Sequence, residues 1–527
     1  MNKYRYIFLS IIIMIKIYEP DIKKYKTSAM DAIESGWISN QGKYVELASI
    51  KLKEIMKVDY CILMANGTCA THCLFLSIKY KYPNINKIYV PNNAYVAAWN
   101  SALMCFDIDK LNVMKMDIDT WNINTDEEYI LSLETNSAVL IVHNLGNIIN
   151  VPRLKSLRPD LIFVEDNCEG LFGKYNDIYT GTSNDSLCSS ISFYGNKSIT
   201  TGEGGAFLTQ HRDIYEHITL VYSQGMSRTR YLHEVHAYNY RMTNIQAAFL
   251  YDQLNDIENI LNVKKKVFDN YKKLLEPLIK QGKIALFKQE KNTESADWIF
   301  AVRIIGNEKT IEETTEFFNN SGVDIRPFFY PINEHKHLSS IENTDDVAYV
   351  LNREIIMIPS SPTIRIDEQK TVVNSIFKFI FFCEKISAIE INEDNIDILN
   401  HFIPNINSNY FRYFDKRTSE TIKNHIITFI FYDMNNNHYF GYTHIDYDGL
   451  SNKYWFGIYL NNEYRGKGLG NLLLNYTLNH NTVINIEEIH LSVDNDNFSA
   501  ITLYEKNNFV IYKSTETIKY MKKLIPK

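Results

Sequence analysis

The stretch Ser192-Phe-Tyr-Gly-Asn-Lys-Ser-Ile-Thr-Thr-Gly-Glu-Gly-Gly205 places Lys197 between two strand-like runs, residues 189–193 and 206–208. Upstream, Leu161-Ile-Phe-Val-Glu-Asp166 is typical of a buried strand that ends in a carboxylate. Open α/β sheets bind ligands at the carboxyl ends of their strands, so we predict that Lys197 and Asp166 share a site. An amine that forms an imine with an aldehyde cofactor, and an acid that keeps a pyridine nitrogen protonated, are the pair that pyridoxal-phosphate chemistry needs.

A phosphate site is predicted nearer the N-terminus. Cys61-Ile-Leu-Met-Ala-Asn-Gly-Thr68 has the pattern of a strand that runs into a turn, and residues 69–80 are apolar at helical spacing. Gly67 and Thr68 therefore fall at a helix N-terminus, where free N–H groups and the helix dipole favour a phosphate. Singly, a lysine after a strand is most often a solvated residue, and Asn-Gly-Thr a capped turn. The three features together indicate a pyridoxal-phosphate site.

Further motifs cover the chain from residue 17 to about residue 384. They are Tyr18-Glu-Pro-Asp-Ile, Gly36-Trp-Ile-Ser-Asn-Gln-Gly-Lys-Tyr44, Asn66-Gly-Thr, Tyr95-Val-Ala-Ala-Trp-Asn100, Glu165-Asp-Asn-Cys-Glu169, the lysine motif, Tyr238-Asn-Tyr-Arg-Met-Thr-Asn-Ile-Gln-Ala-Ala248 and Arg326-Pro-Phe-Phe-Tyr-Pro331. This set resembles the DegT-type sugar-nucleotide aminotransferases, which are fold-type-I pyridoxal-phosphate enzymes. The resemblance implies an α/β fold: a mixed, mostly parallel sheet flanked by helices, with a small C-terminal subdomain.

The resemblance also implies roles for residues. Lys197 would form the imine with pyridoxal 5'-phosphate and then move the proton, and Asp166 would pair with the pyridine nitrogen. Glu169 would lie near the cofactor ring and Tyr95 would stack on it. The phosphate would be held by the side chains of Thr68 and Ser192 and by the backbone of Gly67 and Cys69, with Asn239 reaching it from the second subunit of a homodimer. Related dehydratases carry histidine in place of the lysine, so Lys197 favours transamination.

The sequence changes character from about residue 388. Residues 440–447 and 453–460 alternate like strands around Asp448-Gly449, which predicts a hairpin. Glu463-Tyr-Arg-Gly-Lys-Gly-Leu-Gly470 then opens an apolar helix, and such a loop lets backbone N–H groups approach a pyrophosphate. A strand, Ile489-His-Leu-Ser-Val-Asp-Asn-Asp-Asn497, and the run Ala500-Ile-Thr-Leu-Tyr-Glu-Lys-Asn-Asn-Phe509 follow.

Residues 388 to about 520 resemble the GNAT acyltransferases, an α+β fold that uses acetyl-CoA. The resemblance implies that coenzyme A is bound by Leu460, by Asn497, and by the loop of Arg465, Gly466, Lys467, Gly468, Leu469 and Gly470. Tyr504 would donate a proton to the departing thiolate, or be only a buried aromatic side chain. The general base is left open between His444 and Asp446, which share one face of a strand. Asn508 stands where the family usually has glycine, and asparagine tolerates the positive φ of such a position.

Composition narrows the classes of partner. The formal net charge of −7 argues against nucleic acid. The seven cysteines form no disulfide framework, which favours a reduced, cytoplasmic protein, and the sequence shows no metal-ligand spacing. The apolar run at residues 6–15 is too short to span a membrane, and no small-residue cleavage site follows it. We therefore expect no membrane partner, and we expect Met14 to be the true start.

We predict an N-terminal extension at residues 1–15, an aminotransferase at 16–385 and an acetyltransferase at 388–527. The chain would aminate a nucleotide-linked 4-keto-6-deoxyhexose with L-glutamate and then N-acetylate the new amine, since a ketone cannot be acetylated to an amide. A UDP-sugar is expected, with GDP and dTDP open. The alternatives are an acyltransferase-like half that only binds, a non-sugar ketone substrate, and a regulatory pyridoxal-binding protein without turnover.

Overall fold

The structure is a computed structural model that describes residues 14–229, 231–382, 386–403, 417–434, 437–465, 469–483 and 486–525. It divides into two compact units. The first unit comprises the chain up to Asp269 together with Ile284–Ile364, and the second comprises Asn270–Lys283 together with the chain from Arg365 onward. The predictions for residues 1–13, including the start at Met14 that depends on them, lie outside the described residues. Ile15 is part of the fold, in an isolated bridge with Val323.

The first unit alternates strands and helices along most of its length. Its strands are β1 (Tyr60–Met64), β2 (Ile88–Pro91), β3 (Leu111–Met114), β4 (Ala138–Val142), β5 (Ile162–Asp166), β6 (Lys174–Tyr175), β7 (Ile178–Tyr179), β8 (Ser186–Ser192), β9 (Gly205–Thr209), β10 (Ile284–Ala285), β11 (Thr293–Glu294), β12 (Ala301–Ile304), β13 (Arg326–Pro327) and β14 (Ile355–Met357). Its helices are α1 (Thr27–Glu34), α2 (Lys43–Met56), α3 (Gly67–Lys81), α4 (Ala97–Leu103), α5 (Glu127–Leu131), α6 (Val151–Leu157), α7 (Arg212–Tyr222), α8 (Asn244–Asn255), α10 (Ile311–Asn320) and α11 (Asp346–Glu354), with α9 (Ile257–Lys280) beginning there and ending in the second unit.

The main sheet has the strand order β1-β9-β8-β5-β4-β2-β3. Among the described residues β9 alone runs against the others, because it pairs antiparallel with both β1 and β8. The inner strands are buried throughout, and β4 (Ala138-Val-Leu-Ile-Val142) is wholly apolar, since helices cover both faces of a parallel sheet. The prediction of a mixed, mostly parallel sheet is confirmed.

The sheet gathers several functional segments at one edge. β2, β4, β5 and β8 run parallel, and β1 points the same way. Their carboxyl ends lead into the segments that follow Met64, Pro91, Asp166 and Ser192. This edge is where ligands bind in open α/β sheets.

A smaller antiparallel sheet, with the order β10-β12-β14-β13, closes the first unit. α10 begins with a capping box in which Thr310 and Glu313 satisfy each other's backbone N–H groups, a strong helix start. Phe318 on α10 and Val323 after it are fully buried. This part is the small C-terminal subdomain that the sequence predicted.

The second unit is built on another sheet, ordered β15-β16-β17-β18-β19-β21-β20. Its strands are β15 (Ile386–Glu390), β16 (His425–Asp433), β17 (His438–Asp448), β18 (Lys453–Leu460), β19 (Glu488–Asp494), β20 (Val510–Ser514) and β21 (Ile518–Leu524). Its helices, besides the end of α9, are α12 (Ile366–Phe382), α13 (Ile396–Phe402), α14 (Ser419–Lys423), α15 (Leu469–Leu478) and α16 (Phe498–Lys506). The hairpin predicted around Asp448-Gly449 is confirmed as β17 and β18.

One strand pair of this sheet is parallel, β18 with β19. Among the described residues the pair is hydrogen-bonded in register only at Tyr454↔Ile489 and Trp455↔His490, so the carboxyl ends of β18 and β19 are not paired with each other there.

None of the helices within the described ranges has the length and the apolar composition of a membrane span.

Candidate active sites

The loop between β8 and β9 carries Lys197, and its backbone N–H donates to the Tyr194 carbonyl at 2.9 Å. The Lys197 side chain extends across the face of the Trp298 indole, with 3.8 Å between Nζ and the ring centroid. The indole Nε1–H donates to the Asn196 carbonyl at 2.9 Å, and the Tyr18 hydroxyl donates to the Lys197 carbonyl at 2.9 Å. The loop that carries the amine is therefore held from two sides.

Asp166 is the last residue of β5, and β5 is the neighbour of β8 in the sheet. Its register partner on β8 is Ser190. One carboxylate oxygen accepts the Cys168 N–H at 3.1 Å, which orients the acid in the turn after the strand. Asp166 is only 8% exposed, so little water reaches its carboxylate at this edge of the sheet. Asp166 and the lysine loop thus follow neighbouring parallel strands at the same edge of the sheet.

Glu169 lies one turn beyond Asp166 and is 6% exposed. It accepts the Leu145 N–H at 2.8 Å. Burial raises the pKa of the Glu169 carboxyl to about 7, against the opposing charge of Lys197 and with a smaller contribution from Asp166. The charges of Lys197 and Asp166 both influence the pKa of Glu169, so these three side chains lie in the same region of the first unit.

The start of α3 forms a cup against β8. A Cβ built at Gly67 would lie 2.7 Å from the Ser192 Cβ and 3.3 Å from the Cys168 Sγ, so this position admits only glycine without a shift. Asn66 caps the helix by accepting the Cys69 N–H at 2.9 Å. The cap engages the Cys69 amide that the sequence had assigned to phosphate, while Gly67 and Thr68 occupy the first turn, where N–H groups point out of a helix.

Two predicted residues lie at the open side of this edge. Tyr95 follows β2, is 62% exposed, and makes an edge contact with Phe329 at 6.4 Å between ring centroids. Asn239 is exposed, and its backbone forms an isolated β-bridge with Ser223. The carbonyl of the adjacent Tyr240 accepts the Ala65 N–H just after β1. Both residues are free to meet a ligand or a second chain at this edge.

The second unit contains a cavity of about 1580 Å³. Residues of β18 and of β19 line it, as expected where a parallel pair separates. Of the predicted coenzyme-binding residues, Leu460, Arg465, Gly470 and Asn497 line it, and so does Tyr504, the predicted proton donor. Leu469 begins α15. The predictions for Gly466, Lys467 and Gly468 lie outside the described residues.

Several of these residues are already engaged. The Arg465 Nε–H donates to the Leu460 carbonyl at 2.9 Å, which ties the end of β18 to the loop. The Asn497 side chain caps α16 by accepting the Ala500 N–H at 3.3 Å. Tyr504 lies on α16, is 6% exposed, and contacts Phe509 at 5.7 Å between centroids. Burial raises the pKa of the Tyr504 hydroxyl, so it carries its proton at neutral pH.

His444 and Asp446 also line the cavity, from β17. The His444 ring stacks on His425 at 5.1 Å and covers Gly457, where a Cβ would lie 2.1 Å from its Cε1. Burial lowers the pKa of His444 well below its usual range, which keeps the imidazole neutral. Burial raises the pKa of Asp446, whose Oδ1 has no hydrogen-bond partner among the described residues and lies 4.0 Å from the His444 Nε2.

Comparison with known proteins identifies a family for each of the two parts of the chain. Residues 20–377 match the DegT/DnrJ/EryC1/StrS aminotransferase family, and residues 396–509 match the Acetyltransferase (GNAT) family. The chain belongs to the DegT/DnrJ/EryC1/StrS aminotransferase family. It carries a GNAT acetyltransferase domain in its C-terminal part. Pyridoxal phosphate and acetyl-CoA are the cofactor and cosubstrate that go with these two domains.

Relatives of this DegT-family chain cover its first two thirds. It is 29% identical over 372 residues to the GDP-perosamine synthase of Escherichia coli O157:H7, covering 69% of this chain and 98% of that protein. It is 28% identical to the GDP-perosamine synthase of Vibrio cholerae, covering 70% and 100%. A solved structure, the E. coli GDP-4-keto-6-deoxy-D-mannose-3-dehydratase with bound hydrated PLP, shares the fold at a TM-score of 0.61 and 19% identity, covering 69% and 99%.

The residues of the DegT-family site fit pyridoxal phosphate. Lys197 and the buried acid Asp166 follow neighbouring strands, and the absence of a Cβ at Gly67 lets the start of α3 approach Ser192 at the end of β8. Trp298 and Tyr18 are the contacts of Lys197 that sequence reasoning missed as functional residues. Trp298 is far from Lys197 in the chain, and only the pairing of distant segments brings its ring to the lysine, so no local pattern could have revealed it.

Proposed function

We propose that this chain aminates a nucleotide-linked 4-keto-6-deoxyhexose with L-glutamate as amino donor, and then acetylates the new amine from acetyl-CoA. The observation that carries the proposal is that one chain holds both an aminotransferase domain and a GNAT acetyltransferase domain. Lys197 and Asp166 stand at the ends of neighbouring strands in the first unit, and Tyr504 lines the large cavity of the second. Amination must come before acetylation, because only an amine can become an amide.

In the first site, bound pyridoxal phosphate supplies an electron sink for the carbon that loses its proton. The Lys197 Nζ would move the proton from the α-carbon of the amino donor to the cofactor, and in the second half-reaction it would move a proton from the cofactor to the sugar carbon that receives the amine. The Asp166 carboxylate would hold a positive charge on the pyridine nitrogen. Gly67, Thr68 and Ser192 would hold the phosphate at the start of α3, where the helix dipole favours an anion.

The nucleotide is proposed to be GDP. Both curated relatives described above are named for GDP-perosamine, and this name supports GDP over the UDP that we expected from the sequence. The carbon that receives the amine is proposed to be C4. Incubation with GDP-, UDP- and dTDP-linked 4-keto-6-deoxyhexoses, followed by NMR of the products, tests both assignments.

In the second site, Tyr504 is proposed to protonate the departing thiolate, because burial keeps its hydroxyl protonated. The Arg465–Gly470 loop and Asn497 are proposed to bind coenzyme A. Of the two candidates for the general base we propose Asp446. Its side chain is 39% exposed against 14% for His444, and burial raises its pKa towards the working pH, the condition for an effective base.

A homodimer and a cytoplasmic location stay predictions. The exposed Asn239 at the edge of the lysine site is what supports a second subunit there. The domain limits at 16–385 and 388–527 are likewise proposed as functional limits.

Three variants test the assignment. Lys197→Ala is expected to abolish amination and the yellow colour of the enzyme, while acetylation of a supplied amino-sugar continues. Tyr504→Phe and Asp446→Asn are expected to lower thiol release from acetyl-CoA by about 10²-fold and leave amination intact.

A colourless Lys197→Ala enzyme that still aminates would remove Lys197 from its role. Lack of thiol release by the wild-type chain with any amino-sugar would favour the alternative of an acyltransferase-like domain that only binds. Glutamate-dependent loss of the cofactor absorbance excludes a regulatory protein without turnover.

A further inference from the structure

A buried lysine, Lys264, lies in the first unit and has no part in the proposed reaction. It is on α9 and is 1% exposed. Its Nζ donates to the Trp298 carbonyl at 2.6 Å and to the Ser360 carbonyl at 2.9 Å. The two acceptors come from separate segments of the first unit, so this one amine joins α9 to both.

The surroundings of Lys264 are unusual for a cation. No carboxylate in the described part of the chain forms an ion pair with it, and its other contacts are the ring faces of Tyr18 at 5.4 Å and Phe268 at 5.3 Å. Burial lowers the pKa of Lys264 to about 7, with Asp297 acting weakly against that fall. A buried amine without an ionic partner costs stability, so a purely structural purpose would be served as well by an apolar side chain.

Two of the aromatic residues that Lys264 contacts, Trp298 and Tyr18, also contact the loop that carries Lys197. Trp298, whose carbonyl accepts from Lys264, donates its indole N–H to the Asn196 carbonyl and offers its ring face to the Lys197 Nζ. Tyr18, whose ring faces Lys264, donates its hydroxyl to the Lys197 carbonyl. Lys264 therefore contacts both residues whose side chains hydrogen-bond to the carbonyls of Asn196 and Lys197.

We propose that Lys264 is a positioning residue for Lys197. It fixes the backbone at Trp298 and the ring of Tyr18, and these in turn set the path of the loop and the direction of the Lys197 amine. Placement matters because a shift of about 1 Å in a reacting group can cost about 10²-fold in rate. This inference rests on the proposed role of Lys197 as the amine that holds the cofactor.

The test uses Lys264→Met in the full chain, because methionine keeps most of the length and removes the donor. In the enzyme without cofactor, we expect amide hydrogen exchange of residues 194–198 to rise about 10-fold or more, since the supports of the loop are loosened. In the loaded enzyme we expect kcat to fall about 10–100-fold with the KM for glutamate changed less than about 3-fold. The pH at which the cofactor absorbance changes is expected to shift.

Lys370→Met is the matched control, because Lys370 is also buried, at 4% exposure, but lies in the second unit. It is expected to destabilise the chain without changing exchange at residues 194–198 or the cofactor absorbance. If Lys264→Met lowers the melting temperature yet leaves both readouts at the wild-type values, the positioning role is overturned.

If Lys264→Met does not fold, Tyr18→Phe replaces it, since it removes only the hydroxyl that donates to the Lys197 carbonyl. Faster exchange at residues 194–198 supports the network, and unchanged exchange overturns it. A wild-type enzyme without cofactor absorbance would contradict the proposed function, while exchange in the cofactor-free chain would still decide the role of Lys264.

Discussion

Glu169 shows how much of the site depends on the environment of one side chain. The sequence gives a glutamate three residues after Asp166, with nothing to indicate its charge state. In the fold it is withdrawn from water between the lysine loop and the backbone of Leu145, and its pKa rises to about 7. A carboxyl of this kind can hold or release a proton near neutral pH.

The titration of Glu169 predicts a pH-dependent stability. Its folded pKa lies above the ordinary value of 4.5, so between about pH 4.5 and pH 7 the folded chain holds a proton that the unfolded chain has lost. The free energy of unfolding therefore falls as pH rises through this window and levels off above it. Glu169→Gln is expected to remove about 3 kcal/mol of this fall, measured by urea unfolding of the cofactor-free chain at pH 5 and pH 8.

Glu216→Gln is the control for that measurement, because Glu216 is exposed on α7 and pairs with Arg212. It is expected to keep the wild-type pH dependence. Equal pH dependence in the wild type and in Glu169→Gln would show that Glu169 titrates at its ordinary pKa in the folded chain.

At the scale of elements, the start of α3 depends on a close approach to the end of β8. Gly67 opens the helix, and the space where a Cβ would lie is taken by Ser192 and Cys168. The same closeness brings the N–H groups of the first turn to the side chain that ends β8. The phosphate cup is therefore a property of a helix and a strand together.

Gly67→Ala is expected to weaken pyridoxal-phosphate binding by about 10-fold or more and to lower stability by about 1–3 kcal/mol, because the added methyl pushes α3 away from β8. Fluorescence titration of the cofactor-free chain with pyridoxal phosphate measures the first effect, and urea unfolding the second. Gly449→Ala is the control, since a Cβ there meets nothing closer than 3.9 Å. Wild-type cofactor affinity in Gly67→Ala would mean that the cup lies elsewhere.

At the scale of the whole molecule, the proposed homodimer predicts that two inactive variants can restore activity when they share a dimer. If Asn239 of one copy completes the lysine site of another, Lys197→Ala and Asn239→Ala chains are each inactive in amination. Mixed dimers then contain one intact site, so mixing the two after mild dissociation is expected to restore about a quarter of the wild-type activity. No recovery on mixing, despite exchange of subunits shown by mass spectrometry, would place Asn239 in the site of its own chain.

The sequence by itself determined the chemistry of this protein. Lys197, Asp166 and the strand-turn-helix at Gly67 are local patterns, and strand direction alone sends strand ends to one edge, so the class of site followed from them. In the second half of the chain, the Arg465–Gly470 loop and the residues around Tyr504 indicated the acetyltransferase class. Such patterns are readable because each depends on neighbours in the chain.

The tertiary structure alone decided which groups surround those residues. Trp298 and Tyr18 contact the lysine loop, and Lys264 contacts both of them, although these segments are far apart in the chain. The engagement of the Cys69 amide by Asn66 also appears only in the folded chain. The pKa values of Glu169 and Asp446 also belong to this level. Burial and the approach of distant charges set a pKa, and both arise only when the chain has packed.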